Sequence, residues 1–289
     1  MHSNKGIVTM KAAQFNYSQA QSVQGALALM RPETTQEIAT QPTESYVKFC
    51  AGSQSMGPML NLRLTQIDHL IDLSRIPAFQ SFELREQMLC IGSAVTHSRI
   101  EDGELPDATR GLLPFVASNI AYRAIRNRGT IGGSAVHADP AADWVSILSL
   151  LNAQMSLVGQ RGERSLSAAD FFLGAFTTAI EPDEILASVE VPCFSPSARW
   201  AYLKNCRKPG EFANAIAGVW LDADQNIARI VIGALSRQPL VIEGLGNLQN
   251  LTTQTGLAAC LEQAGLDDDY EQEVHSALIR RALKASGVY

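Results

Sequence analysis

No CxxC pair or comparable spacing links the five cysteines, Cys50, Cys90, Cys193, Cys206 and Cys260. Their scatter excludes a locally encoded iron–sulfur or zinc site and gives no reason to expect disulfides, so all five read as reduced packing residues. An electron-transfer cluster, if the function needs one, belongs to another chain. The histidines are equally dispersed: His2, His69, His97, His137 and His275 show no metal-ligand spacing. Positive charge is short as well, with 23 Lys and Arg against 29 Asp and Glu, and the net charge of −6 argues against a nucleic-acid footprint. No apolar run approaches the ~20 residues that span a bilayer; "WVSILSLL" at 144–151 is among the longest. The opening "MHSNKGIVTMKAAQF" has no apolar core of a secretion signal, so a cytoplasmic location is expected. Neither GxGxxG nor GxxxxGKS/T occurs, which removes the Rossmann and P-loop readings.

What is present is a globular composition, 46% hydrophobic and 18% charged over 289 residues, enough for one large domain or two modest ones. Residues 1–9 read as a disordered lead. Phe15 and Tyr17 alternate with polar neighbours like a strand, and Ser22 is placed to cap a short helix reaching Met30. A polar linker to Ser45 precedes "YVKFCAGSQSMGPMLNLRL", read as strand, glycine-bearing turn and helix. "IDHLIDLS" and "MLCIGSAVT" suit strands. "LLPFVASNIAYRAIRNRG" has helical spacing at Leu113, Val116, Ile120 and Ala124 and stops at Gly129. "DWVSILSLLNAQMSLVG" is a helix running into a strand, "GQRGERS" a hairpin turn, and Ser167 a helix cap. After a boundary near 178–184, strands "ILASVEVP", "RWAYLKNC", "AIAGVWLD" and "IARIVIGAL" precede a helix-rich tail. The pattern is α+β, with mixed strands in a first lobe over 10–181 and an antiparallel sheet with helices over 182–289.

Two segments carry small residues where a backbone must stay bare: "AGSQS" at 51–55 and "TIGGS" at 130–134. Glycine removes the Cβ, so successive N–H groups can face a ligand, and two such loops suit a pyrophosphate clamped from both sides. A branched side chain at Gly132 is then expected to expel that ligand while leaving the fold. Asp139 and Asp143 read either as an acid/base pair or, with Asp139 capping a helix that opens at Pro140, as one cap and one ligand; the second reading is favoured. The arginines of "YRAIRNRG" suit a solvated helix end. "DADQN" at 222–226 lacks the later residues of a calcium loop and reads as a hairpin turn, and "KPGEF" at 208–212 as a turn.

Taken together, "AGSQSMGPMLNLRL", "IRNRGTIGGSAVHADPAADW", "MKAAQFNYSQAQSVQGALALM", "ILASVEVP" and "AYLKNCRKPGEFANAIAGVWL" resemble the FAD-binding medium subunit of molybdenum hydroxylases. That family includes the carbon monoxide dehydrogenase medium subunit and the flavin domain of xanthine dehydrogenase. The resemblance runs from Met10 through nearly the whole chain. It implies a two-lobed FAD-binding domain of the PCMH/vanillyl-alcohol-oxidase-like type followed by a smaller α+β domain completing the flavin pocket. It implies FAD held by Ala51, Gly52, Ser53, Gln54, Ser55 and Met56 and by Thr130, Ile131, Gly132, Gly133 and Ser134. Asp143 matches an acidic flavin contact, Leu186 and Lys204 line the isoalloxazine pocket, Tyr202 stacks near the ring, and Ile120 is an apolar contact. No catalytic base and no metal ligand is expected here; 2Fe-2S clusters and molybdopterin would sit on a small and a large partner subunit in a dimer of heterotrimers, with NAD or oxygen as acceptor. The family spells its loops AGGHS or AGGQS and TIGGN. Ser53 and Ser134 depart from this, and Ser53 is compatible if its φ is negative. A self-contained flavin reductase or oxidase and a flavin-free scaffold subunit are the alternatives. The cysteine-rich insertion of the family's benzoyl-CoA-type reductases is missing.

Overall fold

The computed structural model describes residues 11–30 and 46–289; the expected lead and most of the polar linker lie outside the described residues. The chain begins with β1 (Asn16–Gln19), α1 (Val23–Leu29), β2 (Val47–Cys50), α2 (Met56–Asn61), β3 (His69–Asp72) and α3 (Pro77–Gln80). The three strands form a parallel sheet ordered β1-β3-β2. Ser22 caps α1 by accepting from the Gly25 N–H, as the sequence suggests.

The next stretch holds β4 (Phe82–Arg85), β5 (Met88–Gly92), α4 (His97–Glu101), α5 (Leu112–Ser118), α6 (Arg123–Arg126), α7 (Ile131–His137) and α8 (Asp143–Leu150). It continues with β6 (Gln154–Gly159), β7 (Gly162–Ser167), α9 (Ala168–Phe171), the small pair β8 (Phe172–Gly174) and β9 (Thr177–Thr178), and β10 (Glu184–Pro192). These build a five-stranded antiparallel sheet ordered β4-β5-β10-β6-β7. The expected boundary at 181/182 therefore moves. β10 is the middle strand of the first lobe's sheet, paired with β5 on one side and β6 on the other, and the chain leaves that sheet only after Pro192.

Two further expectations change. The single helix expected through Ile120 is two helices, because the chain turns at Ala121, which has φ 44°, and Ser118 and Asn119 fold back onto the Phe115 carbonyl. The helix expected at Pro140 starts instead at Asp143. Asp139 closes the preceding turn, its Oδ1 accepting from the Ala141 N–H at 3.0 Å and its carbonyl from Ala142.

The second lobe is a four-stranded antiparallel sheet of β11 (Arg199–Asn205), β12 (Ala215–Asp222), β13 (Ile227–Gly233) and β14 (Leu240–Glu243), followed by α10 (Leu245–Asn250), α11 (Gln254–Ala264) and α12 (Asp269–Ser286). Strand periodicity divides β12 between two cores. Ala215, Ala217, Val219 and Leu221 pack with Leu257, Ile279 and Leu283 of the tail helices, while Ile216 and Trp220 join the first lobe's core with Trp144 and Ile147. The "DADQN" hairpin is held by buried Asp222, which accepts from Ser195, Ser197 and Gln225. Two glycines let α8 approach the sheet: a Cβ on Gly218 would lie 3.2 Å from Leu150, and one on Gly233 would lie 1.9 Å from the Ser146 hydroxyl. The second lobe thus has one face committed to its own helices and one to α8.

Ile147 is fully buried in that contact. Ile147→Ala is expected to lower stability by about 2–5 kcal/mol, the range for deleting a well-packed core side chain. A denaturant titration showing an unchanged midpoint would mean that α8 does not bind the two lobes together.

Candidate functional site

The first loop leaves β2 at Cys50 and enters α2 at Met56. Gly52 is required by a close approach rather than by its dihedrals: a Cβ there would lie 1.9 Å from the Arg128 carbonyl oxygen. The glycine therefore seats this loop against the chain that leads into the second loop. Ser53 has φ 56°, in the left-handed region, contrary to the negative φ its side chain favours. Its carbonyl accepts from the Gly57 N–H at 2.9 Å, and Gln54 donates to the Gly52 carbonyl at 2.8 Å. Burial pushes the Cys50 thiol up to about 11, so it stays protonated and inert. The N–H groups of Gly52, Ser53, Gln54 and Ser55 have no acceptor among the described residues.

The second loop is built differently. Thr130 caps α7, its hydroxyl accepting from the Gly133 N–H at 3.0 Å. Ile131 N–H donates to the Val95 carbonyl at 3.1 Å, Gly132 N–H to Ser93 at 3.0 Å, and Ser134 N–H to Thr130 at 3.0 Å. Its N–H groups are thus consumed inside the protein, so they are not the second half of a symmetrical clamp. Gly132 is buried against the 93–95 segment, where a Cβ would lie 2.4 Å from that of Ser93. A valine at 132 would disturb the fold before it met any ligand, which corrects the expectation of an intact fold. Gly133 is exposed and Ser134 half-buried; these two face outward.

A third group lies between the lobes. Lys204 on β11 pairs with Asp143 at the start of α8 at 2.9 Å, both side chains buried, and also donates to the Asn119 carbonyl at 3.1 Å. Tyr202, two residues earlier on the same strand face, donates its hydroxyl to Asp143. Burial raises the Asp143 carboxyl while the Lys204 ammonium opposes the rise; burial and Asp143 raise Tyr202 well above its usual value and keep it a neutral donor. Phe115 meets the Tyr202 ring edge-on at 6.4 Å. Leu186 is buried on β10 beside a register irregularity, and the neighbouring Ala187 carbonyl accepts from the Ser93 N–H at 2.9 Å. Ile120 is half-buried next to Asn119. The structure thus brings together Asp143, Tyr202 and Lys204, with Asn119 and Ile120 adjacent, and separately joins the 51–55 loop to the segment leading into 130–134.

Sequence reasoning passed over the residue that braces these parts. His97 is buried; its Nδ1 accepts from the Trp144 indole N–H at 3.1 Å, its ring lies against Gly129, and its backbone N–H donates to the Gly129 carbonyl at 2.9 Å. Desolvation, with the nearby Arg126 charge, lowers its pKa from 6.5 to about 3. Only its burial marks it; an isolated histidine in the sequence gives no such signal.

Residues 13–194, more than half of the chain, match the family model of the FAD binding domain in molybdopterin dehydrogenase. The carbon monoxide dehydrogenase medium chain of Hydrogenophaga pseudoflava is 30% identical over 84% of this chain and 90% of its own length. The caffeine dehydrogenase subunit beta of a Pseudomonas species is 30% identical over 82% of this chain and 78% of its own. A solved carbon monoxide dehydrogenase from Hydrogenophaga pseudoflava superposes with a TM-score of 0.81 at 28% identity, covering 96% of this chain and 98% of the matched one. Fold and matches define a flavoprotein of the oxidoreductase class with FAD as cofactor. The chain belongs to the FAD-binding family of the molybdopterin dehydrogenases.

His97 generates a pH dependence. Between pH ~6.5 and ~3 the unfolded chain binds a proton that the folded one refuses, so stability is fully present above pH ~6.5 and declines as pH falls, at up to about 1.4 kcal/mol per pH unit. His97→Gln should remove this component of the slope in unfolding titrations run across that range. An equal slope in both proteins would show that His97 titrates normally.

Proposed function

We propose that this chain is the FAD-bearing subunit of a heteromeric molybdenum-containing hydroxylase or dehydrogenase. It receives electrons from 2Fe-2S clusters of a small subunit and delivers them to an external acceptor such as NAD or oxygen. Chemistry on the organic substrate then belongs to a molybdopterin site on a large subunit, the whole forming a dimer of heterotrimers. Relatives bearing the names medium chain, medium subunit and subunit beta support this division of labour.

The residues present fit FAD. The carrying observation is the run of four N–H groups over Gly52–Ser55 without acceptors, in a loop whose glycine permits contact with the Arg128 carbonyl. Such a run suits the pyrophosphate oxygens. The exposed backbone of Gly133 and the hydroxyl of Ser134 line the opposite side, with Thr130 holding that turn as the cap of α7 and Ala51, Met56 and Ile131 shaping the loop ends. Leu186, Ile120 and Tyr202 enclose the isoalloxazine, with the Asp143–Lys204 pair beside them. Lys204, already neutralised by Asp143, gives that pocket a fixed dipole rather than an uncompensated charge. When bound, FAD supplies the redox chemistry, while the protein contributes position, electrostatics and access. No general base of this chain takes part.

The purified chain should carry flavin absorption and release FAD on denaturation. Gly52→Ala drives a Cβ into the Arg128 backbone carbonyl and parts the loops, so it should abolish FAD retention through gel filtration and also lower the thermal midpoint of the chain. A wild-type chain that is colourless and cannot be reconstituted with FAD would overturn the reading. Isolation from its host with chains bearing CxxC-type cluster motifs would separate this relay subunit from a self-contained flavin enzyme.

A further inference from the structure

The helix-end arginines are not all solvated. Arg126 has a side chain only 12% exposed, and its guanidinium is divided between two tasks. Nε and Nη2 bind both oxygens of Glu101, at 2.7 and 2.9 Å. Nη1 donates to the carbonyls of Ile120 and Ala121, at 2.9 and 3.1 Å. The adjacent Asn119 carbonyl is held by Lys204 of the second lobe. Three consecutive carbonyls are thus gripped by two cations, Lys204 anchored by Asp143 and Arg126 by Glu101, whose Oε2 also accepts from Arg123 at 3.0 Å. Between them Ala121 has φ 44°, a conformation that an alanine adopts reluctantly. Gly210 closes the turn from above: it has φ 86°, and a Cβ there would lie 2.3 Å from the Ala121 oxygen.

Resting on the FAD reading above, we propose that Arg126 is a positioning residue for the flavin, holding the Asn119–Ala121 turn in the left-handed shape that places Ile120 and the backbone beside it against the isoalloxazine. The guanidinium does not touch the cofactor; it acts through the turn. Glu101 fixes the fork of the guanidinium, so one N–H pair is always directed at the two carbonyls. Glycine at 121 adopts φ near 44° without strain, so it should reduce the need for the clamp.

The test uses the full chain with added FAD. Arg126→Gln is expected to weaken FAD binding roughly tenfold or more, the loss of two charge-assisted hydrogen bonds, and to alter the visible circular dichroism of the flavin at saturating FAD. Arg126→Lys, a second variant should the first fold poorly, should fall between. Adding Ala121→Gly to Arg126→Gln should recover much of the affinity. Arg164 is the control: it binds both oxygens of Glu184 and the Ala179 carbonyl in the same lobe, away from the turn. Arg164→Gln should leave both flavin readouts unchanged. Flavin affinity and spectrum unmoved by Arg126→Gln, equal effects from Arg164→Gln, or no recovery with Ala121→Gly would each overturn the proposal. Failure of the wild-type chain to take up FAD would instead remove the reading on which it rests, and the proposal with it.

Discussion

The Asp143–Lys204 ion pair decides how the two lobes meet. Asp143 opens α8, which packs on β12 and β13, and Lys204 lies on β11 of the same sheet. Taking both charges out of water offsets most of their Coulombic attraction, so the pair adds little net stability. Its effect is positional. Once Lys204 has Asp143 on one side and the Asn119 carbonyl on another, β11 has one workable register against the first lobe, and Tyr202 arrives with its hydroxyl on the same carboxylate. Removing either charge would leave the other buried alone. The apolar contact of Ile147 with β12 and the 119–121 turn both inherit this geometry.

The paired loops depend on a second constraint, close approach of backbone to backbone. Gly52 meets the Arg128 carbonyl and Gly132 meets Ser93, so both glycines are occupied by protein. Their sequence signature is that of a ligand loop, and the physical cause is the same in either case: no Cβ, hence contact at backbone distance. The unpaired N–H donors fall to Gly52 through Ser55, whereas the second loop turns outward only the backbone of Gly133 and the side chain of Ser134. His97 and Trp144 brace that second loop from behind and tie it to α8, next to Asp143.

Local signals are legible in the sequence. The caps at Ser22 and Ser167, the β2-loop-α2 unit, the hairpin at 160–161 and the alternating strands of the second lobe follow from propensity and period, which act over a few residues. The failures are non-local. β10 is a strand by pattern, but its assignment to the first sheet depends on partners far away in sequence at β5 and β6. The apolar spacing through Ile120 is helical, yet the chain turns there because cations from α6 and β11 capture its carbonyls. Arg126 and His97 were illegible as site residues because burial, not type or spacing, gives them their roles. For Asp143, Leu186, Tyr202 and Lys204 the resemblance supplied positions that composition and period do not single out.

Ser53 shows how such a site absorbs departures from its usual spelling. A serine at φ 56° costs about 1–2 kcal/mol relative to a relaxed backbone. The cost is countered locally, because that conformation directs the Ser53 carbonyl to the Gly57 N–H at 2.9 Å, a bond that fastens the loop to α2. A net hydrogen bond contributes about 0.5–1.5 kcal/mol, so this one offsets a good part of the strain. A glycine there would relax the dihedral and keep the backbone bond to Gly57, at the expense of a floppier loop. Ser53 is thus a stiffer version of the same turn, with the N–H groups of the loop still turned away from protein acceptors. Ala121 reaches the same end by different means: its strain is opposed by cations from outside the turn rather than by a backbone bond within the loop. In both places the left-handed residue persists because neighbouring groups over-determine it, and both lie where the proposed cofactor would need a backbone that does not move.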